Sequence, residues 1–281
     1  MAVAVADFDG DGFVDIFVTN DRVFNFLFHN LGGERFREVA LETGVAAPLN
    51  GDPPSSMGVS AQDYDNDGKP DLIYTALRDE TFPFYRNLGR EFDEVGARTK
   101  LDFLTRPMAG WGVALADLDN DGWKDIAVAR SGVLSINGSN GGSQPERVSW
   151  LRNEAGVRFS LASPLPAQPA MYRGLVAADL DGDGCLDLVV TALNATARIL
   201  RNSCRGNNWL AVNVTGAGAR VKAGAQWGLV TSATGYASSC ACPLHFGLGS
   251  RTQTDVEVVW PDGHRKTIPN VKANQTLTVT P

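Results

Sequence analysis

The chain has 281 residues, of which 43% are hydrophobic and 20% are charged, and its formal net charge is −7. This size and composition can bury the cores of one large and one small domain. No apolar run approaches a membrane span, and no Lys/Arg cluster is interleaved with aromatic residues, so membrane-spanning and nucleic-acid-binding proteins are disfavoured.

A nine-residue motif, Asp-x-Asp-x-Asp-Gly-x-x-Asp, occurs four times and begins at Asp7, Asp63, Asp117 and Asp179. Four carboxylates in nine residues repel one another unless a cation lies between them. The spacing is typical of a calcium loop, in which positions 1, 3, 5 and 9 offer carboxylates, position 7 offers a carbonyl and glycine at position 6 permits the turn. Magnesium fits less well because it retains its waters. A solvated Asp-Gly hairpin turn is the alternative, and four complete copies weigh against it.

We therefore predict about four bound Ca²⁺ ions, one in each loop. The predicted ligands, with position 7 acting through its carbonyl, are Asp7, Asp9, Asp11, Phe13 and Asp15; Asp63, Asp65, Asp67, Lys69 and Asp71; Asp117, Asp119, Asp121, Trp123 and Asp125; and Asp179, Asp181, Asp183, Cys185 and Asp187. The loops hold sixteen of the 32 acidic residues. Because four Ca²⁺ would bring the net charge to about +1, the acidity does not argue for a basic partner.

The segments around each loop indicate strands rather than the helices of an EF-hand. Position 12, where an EF-hand needs Glu, is Val or Tyr, and short runs rich in Val, Ile and aromatic residues flank every loop. A third strand ends in Asn30, Asn87, Asn153 or Asn202, and a fourth is expected around Phe36, Phe92 and Phe159. The first Asp recurs after 56, 54 and 62 residues, which is close to the period of a propeller blade.

The predicted fold is all-β, with a β-propeller of four visible blades followed by a small β-sandwich-like domain. Residues 1–6 are too short and uncharged for a signal peptide and are interpreted as the first strand of blade 1. We expect these blades to belong to a larger propeller in a longer secreted precursor, and a four-bladed ring is the alternative. In blade 3, the polar segment 131–147 is expected to be a surface loop that is either a recognition element or simply flexible.

The predicted domain boundary lies between residues 206 and 207, because the fourth blade does not continue after Asn202 with a glycine turn and a Phe strand. Residues 1–206 form the blades. Residues 207–281 show the alternation of half-buried strands, as at Leu210, Val212 and Val214, without helical periodicity.

The repeats resemble the VCBS and FG-GAP-like calcium blades of integrin α-chains and many secreted proteins, although the Gly-Ala-Pro signature and any Arg-Gly-Asp are absent. The C-terminal part resembles the ASPIC/UnbV domain through residues 218–221 (GARV), 245–249 (HFGLG) and 258–263 (VVWPDG). Ser239-Cys240 stands where that domain usually has Ser-Gln. The combination resembles the cartilage acidic protein family, which implies a secreted calcium-binding glycoprotein of the extracellular matrix and implies no catalysis.

Four cysteines allow three pairings. Cys185 and Cys204 face each other if the hairpin between them turns at Asn194-Ala195, so we predict a disulfide. For Cys240 and Cys242, a free thiol, a strained bridge and an intermolecular link all remain open. Together with His245 they nominally resemble part of a zinc site, which the sequence disfavours.

Four glycosylation sequons begin at Asn137, Asn194, Asn213 and Asn274, and Asn137 in the long insertion is the best surface candidate. The leading functional hypothesis is a secreted, calcium-stabilised interaction protein with an extracellular protein partner. The alternative is a glycan-binding propeller that uses the aromatic residues Trp111, Trp123 and Trp150. None of the three histidines, His29, His245 and His264, lies in a catalytic sequence context, so we do not predict an enzyme.

Overall fold

A computed structural model of the chain describes residues 1–133, 144–162, 165, 167–204 and 206–281. Its first fifteen strands form four successive antiparallel sheets, blades 1 to 4. The blade strands are β1 (Val3–Ala6), β2 (Asp15–Val18), β3 (Phe26–Asn30) and β4 (Phe36–Glu38); β5 (Val59–Gln62), β6 (Asp71–Tyr74), β7 (Phe84–Asn87) and β8 (Phe92–Glu94); β9 (Gly110–Ala116), β10 (Asp125–Arg130), β11 (Ser149–Glu154) and β12 (Arg158–Leu161); and β13 (Tyr172–Ala178), β14 (Asp187–Ala192) and β15 (Ala195–Leu200).

The acidic motif joins the first two strands of every blade, as the sequence predicts. Position 9 of each motif is the first residue of the second strand, and it lies opposite the last residue of the first strand, as in the pair Ala6 and Asp15. All four loops therefore lie at the same end of their blades. Blades 1 to 3 have four strands, whereas blade 4 has three among the described residues.

Successive blades pack face to face through apolar side chains. The first strands lie side by side, since β1 contacts β5, β5 contacts β9, and β9 contacts β13. Phe17 of blade 1 stacks on Tyr74 of blade 2, and Phe84 of blade 2 meets Phe159 of blade 3 edge to face. Both ends of the series expose apolar residues, including Phe26 on blade 1 and Ile199 on blade 4. Two short helices, α1 (Ala40–Thr43) and α2 (Leu101–Thr105), lie in the connections between blades.

The C-terminal residues form two sheets around one apolar core. One sheet has the order β21-β16-β24, with β16 and β24 parallel, and the other has the order β18-β17-β22-β23. Val212 and Phe246 from the first sheet meet Val221 and Val258 from the second in this core. The strands are β16 (Asn208–Val214), β17 (Arg220–Ala223), β18 (Gln226–Leu229), β19 (Ala233–Thr234), β20 (Ser238–Ser239), β21 (Leu244–Gly249), β22 (Gln253–Val259), β23 (Arg265–Lys272) and β24 (Gln275–Val279).

The small hairpin β19–β20 leaves this sandwich and contacts the first strands of the blades. Gly235 at its turn exchanges backbone hydrogen bonds with Val59 of β5, at 3.0 and 3.3 Å. Tyr236 meets Trp111 of β9 edge to face. The C-terminal domain is therefore packed against the blades rather than tethered beside them.

In the part of the chain that the structure describes, no helix has the length and apolar character needed to cross a membrane.

Candidate metal centres

Two positions in each acidic loop take the left-handed backbone conformation. Glycine at position 6 has φ between 84° and 99° in all four copies, at Gly12, Gly68, Gly122 and Gly184. Position 4 has φ between 59° and 79° and is either glycine or asparagine. These are the residue types that adopt this conformation at least cost. The restriction at position 4 is a feature that the sequence reasoning missed.

Backbone N–H groups inside the loop orient its carboxylates. The position 1 Asp accepts the N–H of the position 6 glycine at 2.8–3.0 Å in every copy. The position 5 Asp accepts the N–H of position 7 at 2.8–3.0 Å. Each loop therefore folds around its own carboxylates, which holds their oxygen atoms near one centre.

The carboxylates of each loop converge on a common point. In loops 1, 3 and 4, the oxygen atoms of positions 1, 3 and 5 lie within 4.8 Å of one another. In loop 2, the converging positions are 1, 3 and 9, namely Asp63, Asp65 and Asp71. Asp9 and Asp15 form a second such group with His29 in blade 1. These are hard oxygen donors at a spacing that suits Ca²⁺, so the residues present fit the predicted ion. Coordination by every one of these residues remains a prediction, and position 5 of loop 2 (Asp67), position 9 of loops 3 and 4 and the position 7 carbonyls lie outside the converging groups.

The position 9 Asp also ties the loop to the third strand. One of its oxygens accepts, at 2.8 Å, the backbone N–H of Asn30, Asn87, Asn153 or Asn202. Asn202 lies beyond the end of β15 at Leu200, so the third strand of blade 4 stops earlier than the sequence predicts. Its other oxygen accepts the N–H of position 2 at 2.9–3.4 Å. A carboxylate oxygen has a second lone pair, so these hydrogen bonds leave room for a metal contact.

The same asparagines connect neighbouring blades. The side-chain amides of Asn87, Asn153 and Asn202 donate to the position 2 carbonyl of the preceding loop, at 2.8, 3.0 and 2.6 Å. Each also donates to the position 8 carbonyl of its own loop. The sequence marks these asparagines only as strand ends, and nothing in a single sequence reveals that they bridge loops of different blades.

A basic residue precedes each of these asparagines and faces the loop carboxylates. Arg86 contacts Asp65 at 2.6 Å and Asp67 at 3.0 Å, and Arg152 and Arg201 approach the equivalent pairs at 2.7–3.4 Å. In blade 1, His29 lies 3.5 Å from Asp9 and 3.1 Å from Asp15. Loops 2 to 4 thus already attract a guanidinium group to positions 3 and 5, whereas His29 faces positions 3 and 9 of loop 1. The recurring Arg-Asn or His-Asn pair is a sequence signal that could have identified these residues.

Burial makes the negative charge of the loops costly without a cation. Desolvation raises the pKa of Asp63 to about 6, that of Asp117 to about 7 and that of Asp125 to about 8. Burial also raises the pKa of Asp71 well above its ordinary value. Each of these shifts disfavours the charged form, and a divalent cation between the carboxylates would favour it.

The C-terminal domain covers loops 2 to 4. The indole of Trp227 lies over Gly68, and that of Trp209 leaves no room for a side chain at Gly184. Lys124, at position 8 of loop 3, is buried and donates to the carbonyl of Asp63 in loop 2 at 3.2 Å and to that of Trp227 at 3.0 Å. Burial lowers the pKa of Lys124, although the nearby Asp63 opposes this effect.

Loop 3 has the densest polar contacts with the C-terminal domain. Asn120 is fully buried, its Oδ1 lies 2.6 Å from His245 Nε2, and its carbonyl accepts the N–H of Gly249 at 2.9 Å. The Asn120 amide also donates to Gly184 of loop 4, so its Oδ1 is the acceptor and His245 Nε2 carries the proton. Burial lowers the pKa of His245 from 6.5 to about 4.

The cysteines form two pairs. Cys185 and Cys204 are joined by a disulfide, with their Cα atoms 5.5 Å apart, beside loop 4. The sulfur atoms of Cys240 and Cys242 are in direct contact, which corresponds to one of the arrangements that the sequence leaves open. His245 is directed instead to Asn120, and the described residues contain no metal-binding group of Cys240, Cys242 and His245.

The three tryptophans proposed as a sugar platform have protein contacts. Trp111 is buried beneath the guanidinium of Arg173, which lies 3.7 Å from the ring centroid. Trp123 packs against Gly156, and Trp150 donates to Asp125 at 2.9 Å.

The predicted glycosylation sites at Asn194, Asn213 and Asn274 are exposed. Asn137 lies outside the described residues.

Comparison with known families finds repeat models over the blades and a different model over the C-terminal part, and the two matches overlap at residues 209–220. FG-GAP-like repeats match residues 7–74 and 63–128, an FG-GAP repeat matches residues 171–220, and the ASPIC and UnbV family matches residues 209–281. Cartilage acidic protein 1 of Mus musculus and of Homo sapiens are each 30% identical over 274 residues, which cover 89% of this chain. The chain spans about two fifths of the length of these relatives, 40% and 39% respectively.

Two further similarities are weaker, one because it covers only part of the chain and the other because the structures superpose poorly. Integrin alpha-PS3 of Drosophila melanogaster is 29% identical over 184 residues, which are 60% of this chain and 15% of that protein. An Agrocybe aegerita lectin structure, described as recognising non-reducing terminal N-acetylglucosamine, has a TM-score of 0.41 and 15% identity, with 96% of this chain and 80% of the lectin covered. That TM-score is too low to support any inference.

FG-GAP-like repeats precede an ASPIC and UnbV domain along the chain. The structure is almost entirely β, with propeller blades followed by a sandwich. The chain is a homologue of cartilage acidic protein 1 over 89% of its length, and it carries the FG-GAP-like repeats and the ASPIC and UnbV domain that the family comparisons identify.

Proposed function

We propose that the chain is a calcium-binding extracellular interaction module, in which Ca²⁺ ions hold the blade loops rigid while other surfaces bind a protein partner. The observation that carries this proposal is the fourfold convergence of carboxylate oxygens within 4.8 Å on loops of one geometry. Four independent copies with the same internal hydrogen bonds are difficult to explain as solvated turns.

In each loop, the position 1, 3, 5 and 9 carboxylates and the position 7 carbonyl would hold the ion. The ion would supply the positive charge that the buried carboxylates lack, and it would join the first two strands of a blade across their turn. The four loops lie wholly within the described residues, and each joins two strands directly, with no helix on either side that could swing apart. We therefore assign the ions a structural role rather than that of a cytosolic switch.

Three observations support an extracellular location. Cartilage acidic proteins of three species match 89–93% of this chain. The Cys185–Cys204 disulfide suits an oxidising compartment. The sequon residues Asn194, Asn213 and Asn274 are exposed and thus open to glycosylation. We also place the division between the propeller and the C-terminal domain at residues 206 and 207, and we assign the chain no catalytic role.

The test is a calorimetric calcium titration of protein stripped with a chelator. We expect about four sites, whose affinities can be as weak as about 10⁻⁴ to 10⁻³ M for extracellular modules. A stoichiometry near zero would refute the proposal. A glycan array in calcium buffer tests whether the partner is a protein or a carbohydrate. Binding of defined sugars would favour the glycan-binding alternative.

A further inference from the structure

One segment of the C-terminal domain crosses the third acidic loop at very short range. A side chain at Gly247 of β21 would collide with Oδ2 of Asp117 and with the backbone of Asn120. The Gly247 carbonyl accepts a hydrogen bond from Gln226 at 2.6 Å, which joins the two sheets of the sandwich directly above the loop. The contact with loop 3 therefore involves core strands of the C-terminal domain rather than a peripheral loop.

Asn120, at position 4 of loop 3, is the centre of this contact. Its side chain bonds His245 at 2.6 Å on the C-terminal domain and the carbonyl of Gly184 in loop 4 at 2.9 Å. Its carbonyl accepts the N–H of Gly249 at 2.9 Å. Next to it, the carbonyl of Asp119 accepts a hydrogen bond from Asn207 in the interdomain connection, at 2.8 Å. One residue therefore links two loops and the second domain.

The residues on both sides of Asn120 are predicted metal ligands. Asp119 and Asp121 converge with Asp117, and Arg152 approaches Asp119 at 2.8 Å and Asp121 at 3.4 Å with half of its side chain exposed. Without a cation, the repulsion among these carboxylates favours a wider loop. An ion among them would fix both neighbours of Asn120, and with them the left-handed backbone of Asn120 at φ 59°.

Loop 1 has the same carboxylate pattern without these contacts. Its position 4 residue, Gly10, has open space around it, and this loop meets the C-terminal domain elsewhere, through the ion pair of Asp7 and Arg220 at 3.4 Å and through Val14 beside Gly218. Loop 1 therefore provides an internal control in which one calcium site can be removed without disturbing Asn120.

We propose that Ca²⁺ in loop 3 seats the C-terminal domain on the blades, through Asn120, so that the relative position of the two domains depends on calcium. This inference rests on the proposed calcium binding. In this proposal loop 3 docks the C-terminal domain and loop 1 does not, because the position 4 residue of loop 3 contacts His245 and Gly249.

The experiment measures hydrogen exchange at the Gly249 amide, whose hydrogen bond crosses to Asn120, in saturating calcium and in chelator. For the native chain, we expect exchange on the order of tenfold faster in chelator. Asp121→Ala should give the fast rate even in calcium, whereas the matched variant Asp11→Ala in loop 1 should keep the slow rate. Calorimetry on the same samples should show that each variant binds one ion fewer than the native chain.

A third variant separates docking from folding of the loop. Asn120→Gly keeps all four carboxylates and places in loop 3 the residue that loops 1 and 4 have at position 4. It should bind as many ions as the native chain and still exchange rapidly at Gly249. If the native chain binds calcium but Gly249 exchanges equally in the Asp121→Ala and Asp11→Ala variants, the inference is overturned while the proposed function stands. If the native chain binds no calcium, both fail.

Discussion

The hydrogen bonds that asparagines make between blades yield a quantitative prediction for Asn153→Ala. This change removes the amide bonds to the carbonyls of Tyr64 at 3.0 Å and Lys124 at 2.9 Å, and the acceptor of the Gly156 N–H at 2.8 Å. Leaving a buried polar group without its partner costs about 1–3 kcal/mol, and two of these three partners are buried. The expected loss of unfolding free energy is therefore about 3–5 kcal/mol.

The matched control is Asn30→Ala in blade 1. Asn30 bonds Val14 and Gly33 within its own blade, at 3.1 and 2.7 Å, and these partners are only partly buried. We expect that change to cost about 1–2 kcal/mol, so the two variants should differ by about 2 kcal/mol. In a protein of this size, that difference corresponds to roughly 3–4 °C in melting temperature.

The assay is thermal unfolding followed by circular dichroism, with calcium saturating in every sample. The order of melting temperatures should be native, then Asn30→Ala, then Asn153→Ala. Equal losses in the two variants would show that the bond from Asn153 to the preceding blade adds no stability, and the reasoning about blade contacts would be refuted.

Three further predictions concern the loops and the second domain. Asp121→Ala should lower the melting temperature in calcium and leave it nearly unchanged in chelator; an equal loss in both buffers would mean that the carboxylate acts without a metal. Peptide mapping of non-reduced protein should recover Cys185 joined to Cys204, and finding both thiols free in protein secreted through an oxidising pathway would contradict the pairing. Because the folded chain takes up a proton on His245 only near pH 4 and the unfolded chain already does so near pH 6.5, this group makes unfolding easier as the pH falls from 6.5 to 4. In His245→Gln, that part of the pH dependence should disappear from the melting curve, and its persistence would assign it to other groups.

The regular part of the fold was predictable because it is encoded locally. Each acidic motif fixes a turn, the β-branched runs beside it fix two strands, and Phe36, Phe92 and Phe159 each begin or lie within the fourth strand of their blade. The helices α1 and α2 were not predicted, since four or five residues are too few to show helical periodicity. The all-β prediction is confirmed by sheets that follow the repeats one by one.

The features missed in the candidate sites depend on contacts distant in sequence. Asn153 reaches Tyr64 across 89 residues, and His245 reaches Asn120 across 125 residues. A single sequence contains no record of such pairs, so the sequence shows only that His245 lies outside any catalytic context and does not identify Asn120 as its partner. The sequence also does not reveal that Lys124 is buried against Asp63 and Trp227, which are distant in sequence. Lysine at a loop position is normally exposed.

The central claim, that each acidic motif is a calcium site, is tested most directly by X-ray diffraction from crystals grown in calcium, at a wavelength where calcium scatters anomalously. The account predicts one anomalous peak in each of the four loops, with carboxylate oxygens of positions 1, 3 and 5 at about 2.3–2.6 Å from it. Loops without peaks at saturating calcium, with Arg86, Arg152 and Arg201 still bound to their carboxylates, would contradict it.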